Sequence, residues 1–313
     1  MNLKESKFTD GSIVQRLREI ESLPENVKNI EKVKSNILGS GFQYSVVWIV
    51  MAIVCFLAYV FLQKSIFLVI MLVLLVTPEV FLGSTDSSTF SYVRDFAVPT
   101  LREVLPDTTV KYYSGIETPY LRAATPVTHM PVPFFHISFG DEVNTDFCNL
   151  RSTHEKIDMK GNRETKIDFE GQILMVKHPT GLNGYLRIIP TKQVMFGMEL
   201  LNGHKEKQPY ETKIETEDIR FNENHEVYCM DELSTRTLLN PHILNLLTRW
   251  IDIVPVGVYI DDETVVLSFH TKKFLFQIPE SALEIEELSL ADDYEELQEE
   301  LSLMYEILGT MNT

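Results

Sequence analysis

The hydrophobic pattern of the chain changes period several times, and each change predicts a different element. Ile13, Leu17 and Ile20 form a narrow apolar stripe behind Gly11 and Ser12, and Val27, Ile30, Val33 and Ile37 form a second behind Pro24. Both have helical spacing and charged backs, so residues 1–40 are expected to form short amphipathic helices. Pro24 suits a first turn, where the N–H it lacks has no intrahelical partner. From Val46 to Val76 every residue is apolar except Gln63, Lys64 and Ser65. A single helix over residues 44–82 would reach roughly 58 Å, nearly twice the hydrocarbon thickness of a bilayer. The pattern therefore predicts a two-helix transmembrane hairpin over 44–82, with Gln63, Lys64 and Ser65 as its membrane turn. Lys64 can place its ammonium among head groups there, and Pro78 and Glu79 fall near the opposite interface.

Beyond a polar linker (83–89), residues 90–105 have a helical pattern that Pro99 is expected to kink or split. The stretch 125–142 carries three prolines and is expected to be at most an edge strand or a loop. Runs at 166–178, 184–190, 194–201, 217–221 and 225–230 read as strands, with GLNG (181–184) as a turn. Asn240 and Pro241 then open a helix with Ile243, Leu246, Leu247 and Trp250 on one face. Residues 254–260, 264–270 and 274–278 return to strand character. Strands grouped around helices, without strand–helix alternation, predict an α+β domain over 83–279 with a mainly antiparallel sheet.

Residues 280–313 read as an acidic amphipathic helix. Leu290, Tyr294, Leu297, Leu301, Met304 and Leu308 recur at spacings of four and three, a coiled-coil seam. This seam is the candidate partner-binding surface. Eleven acidic residues and no Lys or Arg follow Lys273, so parallel self-association is disfavoured and docking onto another helix, or onto the chain's own domain, is expected instead.

Composition adds direction. The 313 residues carry 45 acidic and 28 basic side chains, a net charge of −17, which argues against a nucleic-acid partner. Lys28, Lys32 and Lys34 precede the apolar block and Arg94 and Arg102 follow it, against Lys64 alone in the turn. That balance places both termini in the cytoplasm and the turn on the far side of the cell (inner) membrane. The three cysteines show no ligand or disulfide spacing, and a reduced setting is the simpler reading. No phosphate loop, dinucleotide fingerprint, nucleophile elbow or HExxH motif occurs, so no catalytic, cofactor or metal residues are assigned. Asp231 and Glu232 beside Arg236 read as the acidic start of a helix, and Asp261, Asp262 and Glu263 as a solvated turn.

The order of Phe169 and Gly171, a glycine-led strand ending in Pro190, Val227-Tyr228, Asp231-Glu232, Leu238-Leu239-Asn240-Pro241 and VYIDDETVVLS resembles an uncharacterised bacterial membrane-protein family. That family is a domain of unknown function, with a two-helix hairpin ahead of an α+β domain, and is often encoded beside LemA-type membrane proteins. The resemblance covers residues 165–278 and the hairpin before them, and leaves out the proline-rich stretch and the acidic helix after 280. It implies fold and location and carries over no catalytic residue. The expected role is a membrane-anchored, cytoplasm-facing interaction or scaffold protein that contacts the bilayer and a protein partner, or itself, through its terminal helices. A membrane-tethered enzyme or small-ligand receptor is the alternative.

Overall fold

A computed structural model describes residues 6–35, 90–125, 131–157, 163–191, 193–195, 198–201, 207–278 and 285–311. The expected hairpin, with Gln63, Lys64 and Ser65, and the linker 83–89 lie outside the described residues. Among the described residues no helix is long and apolar enough to cross a membrane.

In chain order the elements are α1 (Gly11–Glu21), α2 (24–35), α3 (Val98–Val104), β1 (Thr109–Lys111), α4 (Thr118–Ala124), β2 (Val132–Ser138), β3 (Asp146–Ile157) and β4 (Arg163–Lys177). There follow β5 (Leu186–Pro190), β6 (Gln193–Met195), β7 (Met198–Leu201), β8 (Thr212–Ile214), α5 (Ile219–Asn224), β9 (His225–Cys229), α6 (Glu232–Leu238), α7 (Pro241–Trp250), β10 (Val256–Ile260), β11 (Thr264–Phe269) and α8 (Leu290–Met311). The fold is α+β with a large antiparallel sheet.

The chain divides into two compact units. The larger takes the described residues within 6–15, 101–276 and 292–311. Its nine-stranded sheet runs in the order β1-β2-β3-β4-β11-β10-β5-β9-β8, with every pairing antiparallel. Both faces of the central strands are covered, which is why β5 and β11 are buried at every position instead of alternating. On one face α4 lies over Cys148, Leu150, Ile173, Met175 and Val266, and the buried Ser268 hydroxyl donates to the Ala124 carbonyl at 2.6 Å. On the other, Phe269 meets the Trp250 ring edge-on at 5.3 Å, and Phe276 stacks on Phe135 at 5.2 Å.

Of the described residues, the smaller unit takes 16–35, 90–100, 277–278 and 285–291. In it the Glu21 carboxylate accepts from the Leu290 amide and from the Ser289 hydroxyl. These bonds supply acceptors where a helix start has amides without intrahelical partners. Pro99 is absorbed without a break: a π-turn (Val93–Ala97), closed by the Val98 N–H on the Val93 carbonyl, runs directly into α3. The wider turn relieves the ring clash that a regular helix would impose.

Four expectations about elements are corrected. Residues 217–221 are no strand, because the Asp218 carboxylate caps Phe221 N–H at 3.0 Å and starts α5. Residues 274–278 form a turn in which Phe276 takes a φ of 63° and its N–H donates to Asp293 at 2.6 Å. The run 194–201 is two paired strands, β6 and β7. The proline-rich stretch contains β2, which lies inside the sheet between β1 and β3. Pro133 is tolerated there because β1 pairs only with His136 to Ser138 and leaves the β1 side opposite Pro133 without a ladder.

Candidate functional site

The seam of α8 is core. Leu290, Tyr294, Leu297, Leu301, Met304 and Leu308 are each fully buried. Within the larger unit, Tyr294 donates its hydroxyl to the Phe8 carbonyl at 3.1 Å, and the Tyr305 hydroxyl reaches Asp141 at 3.0 Å. The surface expected to receive a partner helix is therefore covered by the chain itself, since a heptad stripe that meets its own domain has no apolar area left to offer.

The chemistry lies on a different face of the same helix. Asp292, Glu295, Glu296, Glu299 and Glu300 recur at positions i, i+3, i+4, i+7 and i+8, which places them side by side. They form one wall of a cleft of about 470 Å³. The opposite wall is the end of α7 and the segment after it, Trp250 and Ile253–Pro255, together with the turn His270–Lys273 that leaves β11. That turn is pinned from below: Gln172 donates to the Lys273 carbonyl at 2.7 Å, Thr271 donates to Gln172 at 2.6 Å, and Lys272, at φ 60°, donates its N–H to the Glu170 carbonyl at 3.1 Å.

Exposure grades across the acidic wall. Asp292, Glu295 and Glu299 are exposed at the rim, Glu296 is half-buried, and Glu300 is 1% exposed. Glu296 forms an ion pair with Lys273. Burial works to lower the Lys273 pKa, but the hydrogen bond and charge of Glu296 outweigh it and hold the ammonium above its ordinary value. Glu300 has no such relief. Neither of its carboxyl oxygens has a hydrogen-bond partner, and burial, reinforced by Glu296, raises its pKa well above the usual carboxyl range against the weaker pull of Lys273. The cleft thus combines an indole and an aliphatic wall, an acidic rim, and an unsatisfied carboxyl at its buried end.

These residues carried only a faint sequence signal: the acids were visible as charge, and their spacing marks one helical face, but nothing local joins them to Trp250, His270 or Lys273.

The acidic groups singled out in the sequence are structural. Asp231 caps α6 by accepting from Leu233 N–H at 3.0 Å, and Glu232 pairs with Arg236 one turn on. Asp261 accepts from the Glu263 amide and the Tyr259 hydroxyl within its turn. His136 pairs with Asp146 and His154 with Asp168. Cys148 and Cys229 are both buried and free, and burial pushes the Cys148 thiol up to about 12. Among the described residues no cluster of three or more His, Cys, Asp or Glu side chains is placed to hold a metal ion.

Residues 167–313 match the family model described as protein of unknown function (DUF3137), and a domain of that family spans them. The match continues through α8, so the acidic helix belongs to the family segment, contrary to the expectation that the resemblance stops near residue 278. All of the cleft residues lie within it. No curated protein and no solved structure matches the chain.

Proposed function

We propose that this chain is a membrane-anchored, cytoplasm-facing interaction protein whose α+β domain binds a basic segment of another protein in the cleft beside α8. The observation that carries the reading is the graded acidic wall of α8: five carboxyl groups on one face line the cleft against two lysines, one of them already paired with Glu296. Such a wall attracts a cationic segment at long range and orients it at short range. The anchoring half of the proposal rests on the apolar block 44–82, interrupted only by Gln63, Lys64 and Ser65, and on the basic residues that flank it.

The test is binding of fluorescein-labelled octalysine to the full-length chain in nanodiscs of uncharged lipid. Octalysine is expected to bind, to weaken as salt rises, and to be lost with Glu295→Lys and Glu299→Lys together. The matched reversal of exposed Glu215 and Glu217 on the far strand edge should leave binding unchanged. Equal binding of octalysine and octaserine, or indifference to the rim reversal, overturns the reading. Topology is tested separately by Ser65→Cys: an impermeant maleimide should label it on intact cells.

The volume of the cleft supports one second reading, a small-ligand receptor or enzyme, since about 470 Å³ lies in the range of small-molecule sites. Under that reading octalysine fails to bind while a small organic cation does.

A further inference from the structure

We propose that Glu300 is the specificity element of this cleft and receives one arginine side chain of the bound segment, whose guanidinium forks onto both carboxyl oxygens. The proposal rests on the cleft being the binding site and goes further by naming the residue type and the atom it meets.

Geometry favours a guanidinium over an ammonium. Both oxygens of Glu300 lack partners while the side chain is 1% exposed, an arrangement that costs free energy and is relieved at once by a planar, two-pronged donor. Lysine presents a compact, strongly hydrated charge, whereas the guanidinium loses less on leaving water and matches a carboxylate in its own plane. Trp250 lines the same cleft, only half-buried, and offers an indole on which a guanidinium can stack. Ile253, Val254 and Pro255 provide apolar surface for the aliphatic stem.

The charges around Glu300 set a second consequence. Glu296 and Glu299 act on it from its own helix, where Asp292 and Glu295 also line the cleft; His270, Lys272 and Lys273 come from the turn after β11, and the α7 side contributes no titratable group to the cleft. Lys273 is already committed to Glu296. Burial and the neighbouring carboxylates therefore favour Glu300 as the neutral acid until a cation reaches it. An entering guanidinium ionises it, the proton leaves to solvent, and a neutral buried acid becomes half of an ion pair. Binding of arginine is coupled to release of about one proton.

The experiment compares three labelled peptides, identical except for a central arginine, lysine or citrulline, titrated calorimetrically into the full-length chain in nanodiscs. Each titration is run in two buffers of different ionisation enthalpy. The arginine peptide is expected to bind on the order of tenfold tighter than the citrulline peptide and tighter than the lysine peptide. It alone should release about one proton. Glu300→Gln should remove both the preference and the proton release, and Glu300→Asp, which keeps the charge but withdraws the carboxyl, should weaken the preference. Thermal unfolding of each variant confirms that it is folded. Equal binding of arginine and citrulline peptides, or proton release that survives Glu300→Gln, overturns the proposal. If octalysine still binds in a rim-dependent way while the arginine preference is missing, Glu300 specificity fails and the basic-segment reading stands. If octalysine binding is also absent, that reading fails with it.

Discussion

Arg187 on β5 and Glu211 ahead of β8 form a doubly hydrogen-bonded ion pair, both contacts at 2.6 Å, with 4% and 0% of their side chains exposed. The Arg187 guanidinium also sits over the Tyr228 ring, 5.2 Å from its centre. Burial works against ionisation of Glu211, but the hydrogen bonds from Arg187 outweigh it and hold the pKa below the ordinary carboxyl value. Glu211→Gln removes the counter-charge and leaves a buried guanidinium uncompensated, so it is expected to cost about 3–5 kcal/mol. Replacing both partners with apolar residues of similar volume should recover most of that loss. Chemical denaturation of the two variants checks it.

Gly171 has no room for a side chain. A Cβ there would lie 1.9 Å from the Phe269 carbonyl oxygen, one residue past the last β4–β11 pair, Gln172 with Phe269. Gly171→Ala must push the two strands apart and is expected to destabilise the domain by about 3 kcal/mol. A melting temperature equal to that of the unaltered protein would contradict the close approach.

Leu301 belongs to the core, so Leu301→Ala is expected to cost about 3 kcal/mol by leaving a cavity. Were the seam a free docking surface, the same change would leave the isolated chain's stability unaltered. Urea unfolding separates the two.

His225, 5% exposed and stacked on Phe221 at 4.5 Å, is held neutral by burial, which lowers its pKa from 6.5 to about 4. A histidine with a depressed native pKa contributes stability that is present above 6.5 and lost as pH falls toward about 4. The loss over that window is expected to reach about 3 kcal/mol. In His225→Gln the stability–pH curve should flatten between those values.

Glu300 acts in the opposite direction. With a native pKa above its unfolded value, its contribution is full below pH 4.5 and is lost as pH rises through the native value. Glu300→Gln should therefore be the more stable form at neutral pH and lack that decline. A variant whose melting temperature tracks the unaltered chain at every pH would show that Glu300 is not held as the neutral acid.

Local patterns read well where one neighbour decides the outcome. The Asn240 cap accepts from His242 and Ile243 amides and starts α7 where the sequence places it, and the GLNG turn has Gly181 and Gly184 at positive φ. The reading failed where a short polar run had two solutions. Residues 217–221 look extended until Asp218 caps the next turn, and the largely polar β3 goes unnoticed because its partners β2 and β4 supply its ladder.

The periodicity of α8 and its seven acids are properties of consecutive residues, so the chain's order alone establishes an acidic helix with an apolar seam. Which face is spent on the core, and which carboxyl loses its water, depends on side chains brought in from α7 and from the turn after β11. Glu299 and Glu300 are neighbours of the same type, yet one is exposed and the other buried without a partner. Burial is a property of what packs around an atom, and for Glu300 that packing comes from residues about thirty to fifty positions away in the chain.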